Sequence, residues 1–264
     1  MQIALRKRAS IAAPDDSTST FILTASPQPS PPIASLLLPG DQPSDAGANI
    51  MLDGHRQYAT AADRIRLPMT FAPGPLASDL ARLSAPQWID HLVQRNYEGT
   101  WQALPLRMVA GATHPVMMIY ADPTATAFVD APALAHCPAF GAVLAAFRCP
   151  LQTARLMRLT PGSTIREHSD HDLSAEQGMA RIHVPVTTNP HVDFRLNGTR
   201  IDMAIGETWY LRLADRHSVA NQGTTDRVHL VIDCEVNDWL AALLDYGQPG
   251  GTIRPISTVA GSIG

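Results

Sequence analysis

The chain has 264 residues, 45% of them hydrophobic, and a formal net charge of −4. That is enough apolar material for a core in one large domain or two small ones. The slight acidity gives no electrostatic reason to expect nucleic acid or an anionic membrane as a partner, and no apolar run approaches the roughly 18 residues that span a bilayer.

The cysteines, Cys137, Cys149 and Cys234, are sparse and lie in no CxxC. This argues against a disulfide scaffold or a structural zinc site, and for three buried thiols in a reducing compartment. "MQIALRKRAS" is basic, but no continuous apolar segment follows it, so it is a poor secretory signal. The expectation is a cytoplasmic protein.

In chain order, residues 1–58 are rich in Ser, Pro, Ala and Asp and read as a disordered or loosely attached extension. One domain is expected over 59–245, with a helix-rich first part, and a flexible tail over 246–264. "DRIRLPMTF" reads as a short strand. "PGPLASDLARLS" places Leu76, Leu80 and Leu83 at helical spacing behind a proline start, and "APQWIDHL" continues with helical character. "GTWQALPLRM" and "HPVMMIYA" read as strands, and "APALAHCPAFGAVLAAF" as one or two short helices. From Cys149 onward, short β-rich runs alternate with turn signals, among them the hairpin pair Asn197-Gly198 in "LNGTR". Strands so closely spaced predict a β-sandwich or a small double-sheet barrel of jelly-roll type. "VNDWLAALLDY" closes the domain as a short helix.

"IREHSDHDL" crowds His168, Asp170, His171 and Asp172 together. On an extended segment residues two apart point to one face, so His168 and Asp170 can grip one ion, while His171 and Asp172 fall to the adjoining loop. His217 starts a later β segment and supplies a third ligand. Two histidines and a carboxylate make a facial triad that leaves positions open on iron(II), as oxygen and a bidentate cosubstrate require. A lone HxD is common in polar turns, so the downstream residues carry the assignment.

Arg227, ten residues after His217, shares a strand face with His229 and Val231, opposite the apolar Val228, Leu230 and Ile232. "GMARIHVPV" repeats the pattern, with Arg181, His183 and Pro185 against Ile182, Val184 and Val186. A mid-strand arginine is either solvated or meets an anion, and its planar fork suits a carboxylate.

"LTPGSTIREHSD", "ARIHVPVTTNP", "GETWYL" and "RHSVANQGTTDRVHLVID" resemble the aspartyl/asparaginyl β-hydroxylase family. Its members are 2-oxoglutarate- and iron(II)-dependent dioxygenases, and bacterial proline hydroxylases are related. The resemblance covers about residues 64 to 240 and is strongest from 151 to 235. It implies a mainly β fold with flanking helices, a double-stranded β-helix of the jelly-roll, cupin-like kind. It also implies iron on His168, Asp170 and His217, the distal carboxylate of 2-oxoglutarate on Arg227, and Arg181 and His183 near its 1-carboxylate. Asp170 stands where the animal aspartyl hydroxylase has glycine; with that carboxylate present, hydroxylation is favoured over halogenation. Met157 stands where a hydroxyl residue helps to anchor the cosubstrate, a part left to Arg155 or another polar group.

The implied reaction uses O2 and 2-oxoglutarate to hydroxylate an unactivated C–H bond of a free amino acid or small derivative, releasing succinate and CO2. Arg107 and Arg166 are either clamps for a substrate carboxylate or surface arginines. His229 either lines the pocket or pairs with a core polar group. Two other classes compete. A cupin-like metal-dependent binding or sensor protein without turnover has no use for Arg227. A non-catalytic β-sandwich interaction module predicts His168, Asp170 and His217 far apart.

Overall fold

Turn chemistry and side-chain alternation set the strands. The computed structural model describes residues 62–83, 87–120, 122 and 124–246, with a short pairing of Met51–Leu52 and His55–Arg56. Apart from that pairing, the expected extension 1–58 lies outside the described residues, as does the expected tail beyond Tyr246.

Thirteen strands matter here: β1 Arg64–Thr70, β2 Ile89–Asp90, β3 Tyr97–Glu98, β4 Trp101–Val109, β5 Phe128–Asp130, β6 Leu151–Leu159, β7 Ser163–His168, β8 Met179–Thr187, β9 Val192–Leu196, β10 Thr199–Arg200, β11 Glu207–Leu211, β12 His217–Asn221 and β13 Arg227–Glu235. Between β9 and β10, Asn197 and Gly198 both take positive φ, 50° and 74°, as the two-residue hairpin requires.

The larger sheet runs β1-β11-β8-β13-β6-β4-β2, with β5 on β4; the smaller runs β10-β9-β12-β7-β3. From β6 onward the chain crosses back and forth between the two sheets, with antiparallel pairing throughout. That topology is a double-stranded β-helix, extended at its edges by β1 to β5.

The two faces of the larger sheet separate two interiors. Ile182, Val184, Val186, Val228, Leu230 and Ile232 are buried in the main core with residues of helices α1 Pro73–Arg82, α3 Pro138–Ala145 and α4 Asp238–Tyr246. The opposite face looks into the lumen between the sheets, where Met157, Ile165, Phe194, Leu211 and Val219 form a second cluster. The alternation read from β8 and β13 is the alternation the fold uses. α1 and α3 are joined by Asp79, which is buried and whose Oδ2 accepts from the Ala139 and Phe140 N–H groups at 2.6 and 3.1 Å.

Two local expectations are corrected. "HPVMMIYA" is not a strand: Pro115–Ile119 is a short helix, α2, with proline in its first turn and His114 Nδ1 accepting from the Val116 N–H. "APQWIDHL" does not continue α1; Ile89–Asp90 joins the sheet edge against Ala103 and Gln102. Cys137, Cys149 and Cys234 are free and buried. Among the described residues no helix is long and apolar enough to cross a membrane.

Candidate metal centre and its cavity

His168 ends β7 and His217 begins β12, and the two are paired directly across the smaller sheet. Val219 pairs with Ile165, so β7 carries one extra residue between Ile165 and His168. This bulge lets both side chains line the lumen at a spacing that a regular strand would split between faces. Asp170 lies just past the strand end, its N–H held by the Leu213 carbonyl at 2.8 Å. Ligand atoms of His168, Asp170 and His217 all lie within 4.8 Å of one another.

The imidazoles are oriented for coordination. His168 Nδ1 bonds the Arg166 carbonyl at 2.8 Å and His217 Nδ1 the Asp215 carbonyl at 3.0 Å. Each Nδ1 is therefore the donor, and each Nε2 is left with a lone pair for an ion. Burial lowers the pKa of His217, which favours the neutral form that a ligand needs. Donor set, spacing and tautomers all fit a divalent ion with open positions, as iron(II) on a facial triad has. His171 and Asp172 sit in the turn after Asp170, exposed at the cavity mouth and outside the triad.

A network of charges surrounds the triad. Arg181 donates from Nη1 to Asp170 Oδ2 at 2.8 Å, and from Nε and Nη2 to Asp233 at 2.6 and 3.0 Å. Arg155 reaches Asp233 at 3.0 Å and Thr153 at 2.7 Å, and Thr153 donates to Asp233 at 2.9 Å. Burial alone would raise the Asp233 carboxyl, but Arg181 and Arg155 hold it well below the ordinary carboxylate range.

Arg227 is different. It is 3% exposed and has no carboxylate partner among the described residues. Nη2 donates to His229 Nδ1 at 2.9 Å, the Phe194 ring lies 5.6 Å from the guanidinium carbon, and buried Nε has no partner. Burial pushes its pKa down to about 9. His183 lies between Arg227 and the arginine-rich side, and its Nε2 is also buried without a partner. A lone buried guanidinium fits one carboxylate of a dianion such as 2-oxoglutarate, and the His183 nitrogen is a second unpartnered group in the same cavity.

One cavity of about 420 Å³ includes the triad, Arg227, His183 and Arg155 in its walls. Three expected substrate contacts lie elsewhere. Arg107 donates to Asp130 and to the carbonyls of Leu151 and Phe128, where a bulge between Pro105 and Arg107 shifts β4 against β6. The β7 bulge leaves Arg166 outside, paired with Glu98. His229 supports Arg227 and does not line this cavity. Arg155 lines the same cavity as Met157 and belongs to the Asp233 cluster.

Sequence reasoning missed Asp233, Thr153, His91 and Trp101. Asp233 was legible, since it continues the face of Arg227, His229 and Val231. The His91 imidazole stacks on Trp101, with centroids 3.5 Å apart and planes at 13°, and the Trp101 ring lies 6.4 Å from His168. Nothing in their spacing announces that contact.

The profile of a family described as Aspartyl/Asparaginyl beta-hydroxylase matches residues 77–236. The L-proline cis-4-hydroxylase of Rhizobium meliloti (strain 1021) is 27% identical over 157 residues, 59% of this chain and 55% of that protein. The chain thus spans about half the length of the curated relative it matches. Among solved structures, a 2OG-Fe(II) oxygenase family oxidoreductase from Burkholderia pseudomallei aligns at 14% identity and TM-score 0.41, over 66% of this chain and 86% of that one. A prolyl-4-hydroxylase from Pseudomonas putida aligns at 13% identity and TM-score 0.40, over 67% and 94%.

Proposed function

Because the chain belongs to the aspartyl/asparaginyl β-hydroxylase family, we propose that it is a 2-oxoglutarate- and iron(II)-dependent dioxygenase that hydroxylates an unactivated C–H bond of a free amino acid or small amino-acid derivative. The observation that carries this reading is Arg227, a buried cation with no carboxylate of its own in the cavity of the His168–Asp170–His217 triad. A metal sensor without a cosubstrate would gain nothing from burying that charge.

Iron, when bound, would activate O2, the oxidant, which takes two electrons from 2-oxoglutarate and two from the substrate: substrate C–H, O2 and 2-oxoglutarate become C–OH, succinate and CO2. The chain's residues bind, orient and exclude water. His168, Asp170 and His217 hold the metal on one side. Arg227, steadied by His229, takes the distal carboxylate of the cosubstrate, and His183 lies beside the end nearer the metal. Met157, Ile165, Phe194 and Val219 give that part of the cavity apolar walls. Arg181 orients Asp170 and contributes to the cosubstrate site through it.

The substrate side follows from charge. Among the described residues the three arginines of the cavity wall, Arg155, Arg181 and Arg227, pair only with Asp170 and Asp233; the other two aspartates of the wall, Asp122 and Asp172, bond none of them. Iron(II) and a 2-oxoglutarate dianion cancel each other, so the group of Arg155, Arg181, Arg227, Asp170 and Asp233 keeps one positive charge. Arg155 is the cation closest in role to an open carboxylate clamp, since it shares Asp233 with Arg181. An α-carboxylate there matches an amino-acid substrate, and L-proline is a natural first candidate given the relative's activity. A cytoplasmic setting accords with the three free thiols.

The test is an amino-acid screen for succinate formed from 2-oxoglutarate with iron(II) and O2, with mass spectrometry for a product heavier by one oxygen. The expected result is substrate-dependent succinate and product in step. No visible charge-transfer band on anaerobic addition of iron(II) and 2-oxoglutarate would sink the reading.

A further inference from the structure

We propose that His91 contacts the substrate, donating from Nε2–H to the carboxylate that Arg155 holds. This rests on the dioxygenase reading and gives its substrate site a second, directional contact.

His91 lines the cavity of the triad together with Trp101, on which it stacks, and Arg155, the charge that acts on it most. It is fixed on three sides. Its backbone N–H bonds the Trp101 carbonyl at 2.9 Å, its ring stacks flat on the Trp101 indole, and Tyr97 meets it edge-on at 6.4 Å. A ring this constrained cannot turn away from what it faces.

Its hydrogen-bonding end follows. Nδ1 accepts from the Val93 N–H at 3.4 Å, which places the proton on Nε2. Nε2 bonds nothing in the protein among the described residues, and it is not among the buried atoms that lack a partner. It therefore opens onto space that a ligand can reach. Burial, with Arg155, Arg181 and His168 opposing Asp170, pushes the imidazole pKa down to about 3. A neutral imidazole adds no further positive charge to this wall. It offers one donor in a fixed direction, so it recognises an acceptor such as a carboxylate oxygen and gives an ammonium nothing.

The competing role is simple packing against Trp101. His91→Phe separates the two, because it keeps a flat ring for the stack and removes the donor; His91→Gln keeps a donor and loses the stack. Each proteinogenic amino acid, L-proline included, is added anaerobically to full-length protein loaded with iron(II) and 2-oxoglutarate, and the shift of the visible band is titrated. The amino acid effective on wild type is then taken to the variants.

In His91→Phe its half-saturation concentration should rise about tenfold or more, as for the loss of one hydrogen bond to a charged group. The 2-oxoglutarate titration should stay unchanged. Succinate released per hydroxylated product should increase, and His91→Gln should recover part of the binding. Unchanged half-saturation and coupling in His91→Phe overturn the contact, and so does loss of 2-oxoglutarate binding in that variant. If the wild-type band forms but no amino acid perturbs it, the substrate class and this contact fail together; if no band forms, the dioxygenase reading itself fails.

Discussion

Asp233 holds two guanidiniums in place from a position 1% exposed to solvent. Replacing it with asparagine leaves Arg155 and Arg181 buried without their shared anion, a change that costs about 3–5 kcal/mol in comparable buried pairs. Its folded-state pKa lies below the ordinary aspartate value of 3.8, so its contribution is complete above that pH and is lost as pH falls through the folded value. Asp233→Asn should therefore be much less stable than wild type by denaturant titration at neutral pH, with the gap closing below pH 3.8. A gap independent of pH would assign the loss to packing. Arg227 acts in the opposite sense, because the ligand-free protein buries its charge uncompensated. Arg227→Met should raise the KM for 2-oxoglutarate roughly 100-fold or more, the value of a bidentate charge-assisted contact. The same substitution should leave the ligand-free protein as stable as wild type, or more so.

At the scale of elements, the strands were legible because alternation survives in sequence. The apolar faces of β8 and β13 pack where their parity puts them, and the Asn197-Gly198 hairpin forms where its two residues require it. Bulges were not legible, because an extra residue is defined only against a partner strand. This single feature carried Arg166 away from the cavity while leaving His168 in it. The α2 segment misled for another reason: Val116, Met117, Met118 and Ile119 suit either state, and the proline and the His114 cap decide it. His168, Asp170 and His217 were legible as a set because chemistry constrains them, whereas the His91–Trp101 stack is a tertiary contact. Asp79 is the clearest element-level joint, since it caps the start of α3 from within α1. Asp79→Ala should lower stability by about 1–3 kcal/mol, the cost of stranding those buried N–H groups. The KM for 2-oxoglutarate should not move, because α1 and α3 pack on the far face of the larger sheet.

The whole molecule divides its two tasks between two interiors. The core beneath the helices is apolar, while the cavity between the sheets has three arginines, four aspartates and five histidines in its wall, counting those at its rim. The first stabilises the fold without any ligand. The second buries charges that await partners, so ligands should add stability as well as function. At a concentration 100 times its Kd, a ligand adds about 2.7 kcal/mol by mass action. Leu76→Ala, in the apolar core on α1, should cost about 2–5 kcal/mol through the cavity it leaves. If the two interiors are independent, that loss is the same with and without a divalent metal and 2-oxoglutarate, so the ligand-induced increment in Tm stays at its wild-type size. Asp170→Ala should do the reverse: it should abolish the metal-dependent part of the increment, and hydroxylation with it. Thermal melts of the three proteins with metal and 2-oxoglutarate, and again with chelator, make the comparison. A ligand increment that shrinks in Leu76→Ala would mean that the larger sheet transmits the helix packing into the lumen, and that the site draws its rigidity from the core behind it.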